Sequence, residues 1–268
     1  MRLYYALPLA GGFIVIVSYL TGGNIYPVYD KLVLSFLSLV NIISAGYILN
    51  DVCDVEVDRI NCPDRVMPKG QISKKAATIC AITLFLIGLM LAGFCNIWFL
   101  LLEAVTVAGL IFYDIYSKRI GIFKDILAAA LVTSLYPLAF ALTQAAQTSR
   151  LKSLFISPVW LFLTALGYEM LKDIRDAEGD YKIRSIFAIE HKLLFPVSRV
   201  IIIAAAIIIF LPFILGYCGY IYFIAAIIAF VLAVFASMNK PTAAIRYIYL
   251  EVFIIALGSM MDLLVFGP

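Results

Sequence analysis

Apolar stretches of about twenty residues follow one another along almost the whole of this 268-residue chain, and a helix of about twenty apolar residues is what crosses a hydrocarbon layer roughly 30 Å thick. Inside lipid the backbone must satisfy its own hydrogen bonds, which leaves only helices or closed barrels. The period-two alternation of a barrel is absent, so the spans are helices. With 64% hydrophobic and 14% charged residues, the chain lies far from a soluble domain, where about a quarter of residues carry charge. It reads as one all-α integral membrane domain over residues 1–268. Nine transmembrane helices are expected, at about 4–22, 32–50, 75–94, 97–115, 125–146, 154–173, 193–215, 218–238 and 245–266. The first stretch has no small-residue cleavage site and is read as a mature helix rather than a signal peptide.

Most connections are short. Two are long and charged: residues 51 to 74, which hold Pro63, Pro68 and Gly70, and residues 174 to 192. Of the 20 Lys and Arg residues, 17 fall on the side of the N-terminus and these two connections, against 3 (Lys31, Arg150 and Lys152) on the other. A cytoplasmic excess of Lys and Arg sets topology. The chain is therefore expected in the cell membrane as a multi-pass protein with a cytoplasmic N-terminus and an outer C-terminus.

Each long connection opens on an acidic row. The first runs Asn50-Asp51-Val52-Cys53-Asp54-Val55-Glu56-Val57-Asp58, and the second Asp173-Ile174-Arg175-Asp176-Ala177-Glu178-Gly179-Asp180. Both contain D-x-x-D-x-x-x-D, and offsets of three and four place three carboxylates on one helical face. Glu169, four residues before Asp173, extends the second row by a turn. Spans 2 and 6 run the same way, so both rows emerge on the cytoplasmic side as two Asp-rich cap loops facing one cavity. Four spans separate them, the spacing of a duplicated four-helix unit.

Carboxylates at the C-terminal end of a helix meet the negative end of its dipole and repel one another. They call for a cation. His191 is the single histidine and the five cysteines form no CxxC pair, which excludes a zinc or haem centre built on those ligands. An all-oxygen set suits a hard ion, and Mg²⁺ binds through one or two carboxylates together with substrate phosphates. Arg59, Arg65 and Lys69 follow the first row, Lys172, Arg175, Lys182 and Arg184 surround the second, and Lys118 and Lys124 reach the same rim. Metal, carboxylates and a basic rim describe a diphosphate site. In a membrane the diphosphate carries a lipid tail, and cleavage at an allylic carbon needs a dry, polarisable pocket. Tyr47 and Tyr168, each on the face of its row, and Tyr113 and Tyr136 are candidates for its wall. Glu103 and Glu251 fall inside spans, where an ionisable group is costly, and neither is given a role. A cation transporter is the rival reading, because intramembrane carboxylates also mark ion paths. It requires acids near the midplane on broken helices. No nucleic-acid partner is expected.

Residues 50 to 73, NDVCDVEVDRINCPDRVMPKGQIS, resemble the first signature of the UbiA superfamily of intramembrane prenyltransferases, and residues 168 to 180, YEMLKDIRDAEGD, are similar to its second. The resemblance implies a nine-helix bundle around a central cavity open to lipid, with Mg²⁺ as cofactor and a prenyl diphosphate and a lipophilic acceptor as substrates. It implies that Asn50, Asp51, Asp54, Asp58, Asp173, Asp176 and Asp180 hold metal and diphosphate. Among these Asp54, Asp58, Asp176 and Asp180 are the catalytic candidates, while Arg65, Lys118 and Lys172 join Asn50 on the diphosphate. The second signature is similar to that of archaeal enzymes that add a second geranylgeranyl chain to geranylgeranylglyceryl phosphate, and related wording occurs in homogentisate prenyltransferases. The chain departs from the pattern at Tyr168, where many relatives have Arg, at Lys69, and in the run that follows Asp180.

Overall fold

The computed structural model describes residues 6–116, 120–144, 152–184 and 191–267, with the backbone alone for 177–184 and 191–192. Every element among them is helical. In chain order they are α1 (Ala6–Leu20), α2 (Tyr29–Asn61, after a single 3-10 turn), α3 (Lys74–Cys95), α4 (Ile97–Tyr116), α5 (Phe123–Thr133), α6 (Leu135–Thr143), α7 (Ser153–Arg184), α8 (His191–Ile208), α9 (Leu211–Ile214), α10 (Tyr220–Met238) and α11 (Pro241–Phe266). With α5 joined to α6 and α8 to α9, these give nine candidate spans among the described residues: eight long enough to cross a membrane, and the shorter apolar α1. All nine coincide with the spans expected from hydropathy.

Both joints have one cause. Proline lacks an N–H, and its ring crowds the carbonyl four residues back. Pro137 lies four residues after Thr133, the last residue of α5, and Pro212 four after Ile208, the last of α8. Pro158 and Pro196 fall within the first two turns of α7 and α8, where few intrahelical bonds are lost.

The acidic rows differ from expectation. They are not cap loops but helix: α2 runs 33 residues and α7 runs 32, so each is roughly 50 Å long at about 1.5 Å per residue and outreaches a hydrocarbon layer of about 30 Å. Loss of hydrophobicity at Asn50 does not end a helix; a broken backbone bond does. α2 stops at Asn61 because Pro63 follows and pushes Cys62 out of the helical region (φ −145°, ψ 62°). Residues 62–73 then fold into turns held by Arg65 N–H to Cys62 O (3.1 Å) and Gln71 N–H to Val66 O (3.1 Å). Met67, buried, packs with Ile48, Val55, Ala77 and Ala81 and pins this segment between α2 and α3. Ser73 restarts the chain by accepting from Ala76 N–H at 3.2 Å as the N-cap of α3.

Between helices in lipid there is little hydrophobic driving force, so close packing through small residues takes over. A Cβ on Gly88 of α3 would lie 2.5 Å from Ile42 Cγ1 of α2, and one on Gly167 of α7 would lie 2.6 Å from Ile202 Cγ1 of α8. The helix pairs that follow the two acidic rows are thus clamped by the same contact. α10 lays buried Ala225, Ala226, Ala229, Ala233 and Ala236 along one side, and a Cβ on Gly258 of α11 would meet Ala225 Cβ at 2.2 Å. Asp262 of α11 accepts from Gly219 N–H (2.7 Å) and Tyr222 N–H (3.2 Å), capping the first turn of α10 from a neighbouring helix. Apolar side chains such as Leu86, Met90, Val105, Val200 and Phe253 point outward, as a lipid-facing belt requires.

Candidate active site

One face each of α2, α4 and α5 encloses a cavity with about 890 Å³ of atom-free space, its mouth included. From α2 come Leu39, Ile42, Ile43, Gly46, Tyr47 and Asn50; from α4, Glu103, Thr106, Leu110, Tyr113 and Asp114. Their spacings of three and four mark a single helical face. Leu131, Val132 and Ser134 close the side at the α5–α6 joint, and Glu169 and Lys172 of α7 close the end nearest the acidic rows. The cavity is polar at that end and apolar along most of its length.

The two rows meet at the ends of their helices. Asn61, on the face of Asp58, donates from Nδ2 to the Asp176 backbone carbonyl at 2.8 Å and so ties α2 to α7. Around this tie carboxylates and bases are matched one to one. Arg65 Nη1 lies 2.5 Å from Asp58 Oδ2, Arg175 reaches both oxygens of its neighbour Asp176 at 2.7 and 2.8 Å, Lys172 contacts Glu169 at 2.7 Å, and Lys124 is in contact with Asp173. Asp51 is buried and Asp54 half-buried on α2. Among the described residues no three Asp, Glu, His or Cys side chains converge as a ready-made metal cage. The donor set is nevertheless all oxygen and anionic, which fits a hard divalent ion, and the bases already on it mark where cationic charge is wanted.

Of the residues singled out from sequence, Tyr47, Asn50, Tyr113 and Lys172 line the cavity, and Asp58, Arg65, Asp173 and Asp176 stand in the paired cluster beside it. Asp180 continues α7 with its side chain outside the described atoms, and Lys118 lies outside the described residues. Two tyrosines are elsewhere. Tyr136 follows the Pro137-induced joint, which turns it into the core with Leu135 and Leu138, and Tyr168 faces α11, its hydroxyl 2.7 Å from that of Tyr249. Neither lines this cavity.

Sequence reasoning passed over Asp114, which accepts from Asn50 Nδ2 at 3.2 Å and is buried at the mouth. It also passed over Asp125, fully buried in the first turn of α5 beside Lys124. The available signal was helical spacing: Glu103, Thr106, Leu110, Tyr113 and Asp114 share one face of α4. Glu56, by contrast, points outward to Arg59 (2.7 Å) and Lys74 (3.6 Å), an exposed network of small energetic weight.

Comparison with known proteins agrees with this architecture. The chain is 30% identical over 232 residues to the digeranylgeranylglyceryl phosphate synthase of Saccharolobus solfataricus, covering 85% of this chain and 81% of that one. Its fold matches the apo structure of a UbiA homologue from Aeropyrum pernix with a TM-score of 0.77 at 17% identity, over 98% of this chain and 99% of the other. A UbiA homologue from Archaeoglobus fulgidus, solved bound to GPP and Mg²⁺, matches with a TM-score of 0.70 at 12% identity, over 98% and 97%. The model of the UbiA prenyltransferase family matches residues 10–245; the chain belongs to that family and is an intramembrane prenyltransferase.

Proposed function

We propose that the protein transfers a geranylgeranyl group from its diphosphate to a lipophilic acceptor, geranylgeranylglyceryl phosphate, in a Mg²⁺-dependent reaction of membrane lipid synthesis at the cytoplasmic face of the cell membrane. The observation that carries this reading is a cavity with a long apolar wall and, beside its polar end, a cluster of carboxylates in which Asp58, Asp173 and Asp176 are each engaged by a base. The name of the Saccharolobus relative supports the acceptor, and the excess of Lys and Arg at the acidic end supports the orientation.

The apolar faces of α2, α4 and α5 would take the tail and exclude water from the reacting carbon. Asp51, Asp54, Asp58, Asp173, Asp176 and Asp180 would hold Mg²⁺, whose charge would neutralise the departing diphosphate. Arg65, Lys124, Lys172 and Arg175 would turn from their carboxylates to the phosphate oxygens, the charge-assisted contact these groups favour. Asn50, held by Asp114, would orient the diphosphate at the mouth. The bond between the allylic carbon and the diphosphate oxygen breaks, and its electron pair leaves with the diphosphate. Tyr47 and Tyr113 present rings where the positive carbon develops. The acceptor hydroxyl oxygen forms the new C–O bond and gives its proton to the released diphosphate. No strong base is needed, in keeping with a chain that has a single histidine.

Purified protein incubated with labelled geranylgeranyl diphosphate, Mg²⁺ and a panel of glycerophosphate and aromatic acceptors tests the reading. Ether product from geranylgeranylglyceryl phosphate is expected, lost in Asp54→Ala and Asp176→Ala. Product from aromatic acceptors alone would overturn the acceptor, and folded protein that releases no diphosphate with any acceptor would overturn the reaction.

A further inference from the structure

A lipid acceptor must bring its polar head to the acidic end of the cavity while its tail stays among apolar side chains. Tyr168 and Tyr249 join those two environments. Tyr168 stands one turn before Lys172 on α7, and its hydroxyl has Lys172, Glu169 and Tyr47 as electrostatic neighbours, all three of which line the cavity. Its ring meets that of Tyr249 edge-on, with centroids 5.4 Å apart, and the two hydroxyls lie 2.7 Å from each other. Tyr249 is 42% exposed on the outer side of α11. The pair therefore carries groups that can donate and accept hydrogen bonds from the lipid-facing surface to the neighbourhood of the catalytic end.

The rest of this face of α11 has a definite order. The helix begins at the end of the bundle where α7 finishes. Arg246 comes first, three residues before Tyr249, and Leu250, Phe253 and Leu257 carry the face onward at spacings of three and four. All are exposed. Base, hydroxyl and hydrocarbon follow one another as phosphate, glycerol and chain do in a glycerophosphate lipid. Arg246 also differs from the bases on the acidic rows, where Arg65, Lys124 and Arg175 are held by carboxylates. Among the described residues it makes no ion pair. The two acids of its own helix are buried and engaged elsewhere, Glu251 by Trp160 Nε1 and Asp262 by the first turn of α10. A guanidinium left in this state at a membrane surface is suited to a phosphate, which it grips through two parallel N–H groups.

We propose that Arg246 and the Tyr168–Tyr249 pair form the head-group subsite of the acceptor, an anionic glycerophosphate lipid. The Arg246 guanidinium takes the phosphate, the two hydroxyls take the glycerol oxygens, and the tail lies along Leu250, Phe253 and Leu257. The proposal rests on the reading of the acceptor as geranylgeranylglyceryl phosphate. None of the three head-group residues lines the prenyl cavity, so the subsite acts through acceptor binding and sets the preference for an acceptor that carries a phosphate.

The test is the ratio of kcat/KM for geranylgeranylglyceryl phosphate to that for geranylgeranylglycerol, which lacks the phosphate. Rates are taken in neutral detergent micelles at saturating geranylgeranyl diphosphate, so that no bulk anionic lipid competes for Arg246. One charge-assisted contact corresponds to about ten-fold or more in binding. The wild type should favour the phosphate by at least that factor, and Arg246→Gln should bring the ratio close to one. The loss should appear in KM for the phosphate acceptor and not in KM for the diphosphate. Arg246→Lys, which keeps the charge without the fork, should fall between. Tyr249→Phe should raise KM for both acceptors by about three-fold, the share of one neutral hydrogen bond. An Arg246→Gln variant that keeps the wild-type ratio, a loss that appears in KM for the diphosphate instead, or a wild type that uses the alcohol as well as the phosphate would each overturn the subsite while leaving the acceptor reading in place. A wild type that makes no product from geranylgeranylglyceryl phosphate would overturn the acceptor reading, and the subsite with it.

Discussion

Gly258→Ala is the substitution whose cost the structure defines most closely. The added Cβ would lie 2.2 Å from Ala225 Cβ on α10, while carbon atoms rest at about 3.5–4.0 Å. Neither Cβ can rotate away, because both are fixed by backbone, so α10 and α11 must part by about 1.5 Å locally. A gap of even 0.5–1 Å forfeits about a quarter to a half of each contact's attraction, and buried Ala229, Ala233 and Ala236 share the helical face of Ala225 on α10. Overpacking of this kind costs about 1–3 kcal/mol; with no rotamer to relieve it, about 3 kcal/mol is the better figure, offset by about 1 kcal/mol of helix propensity gained from alanine. The expected net loss is about 2 kcal/mol. Ala225→Gly removes the opposing methyl, after which the nearest atom to the new Cβ is residue 225 Cα at 3.7 Å, an ordinary contact. The double variant should therefore return to within about 0.5 kcal/mol of the wild type, since the propensity terms of the two changes cancel. Reversible unfolding in mixed micelles reads this, followed by the fluorescence of Trp160, whose Nε1 donates to Glu251 of α11 at 3.2 Å. Gly258→Ala as stable as the wild type, or a double variant no better than the single, would refute the steric argument.

Arg65→Ala leaves the buried Asp58 carboxylate without its 2.5 Å partner and should cost about 1–3 kcal/mol in metal-free thermal unfolding. Added Mg²⁺ should then stabilise the variant more than the wild type; equal metal-free stability would show that the pair does not form. Asn61→Ala removes a hydrogen bond from α2 to the Asp176 carbonyl. About 1 kcal/mol of stability should go, but kcat should fall by about ten-fold or more because the rows are no longer held in register, and stability loss with kcat intact would argue against that role. Asp262→Ala uncaps α10 and should cost about 1–2 kcal/mol, with Asp262→Asn milder because its one remaining oxygen still accepts from Gly219 N–H, although its amide nitrogen cannot accept from Tyr222 N–H. Similar losses in both would mean the cap is not what Asp262 provides.

Much of the bundle was legible because the lipid demands long apolar helices and says so in composition. The acidic rows were legible as helical faces, yet their status as rigid helix was not, since hydropathy falls at Asn50 while the backbone ladder ends only at Pro63. Pro137 shows the opposite failure. It sat in plain view inside an apolar stretch, but only the folded chain reveals that the joint it forces turns Tyr136 away from the cavity while Ser134 lines it. Lys124 was legible only as one more charge on its connection, and its contact with Asp173 comes from the packing of α5 on α7. Glu103 was visible as a costly charge in a span, but that it lines the cavity against Ser38 depends on how α4 packs on α2.

The two glycine clamps are mirror-wise in one respect: α2 brings the branched side chain and α3 the glycine, whereas α7 brings the glycine and α8 the branched side chain. If α2 paired with α8, Ile42 would collide with Ile202; if α7 paired with α3, Gly167 would face Gly88 across a void. Spans of nearly equal greasiness give an inserting chain little else by which to choose a partner, so the exchange of bump and hollow works as a keyed joint that penalises the swapped bundle. Exchanging the residues of one clamp alone, Gly167→Ile with Ile202→Gly, should preserve its local volume yet raise the fraction of misassembled protein, a defect read in refolding yield.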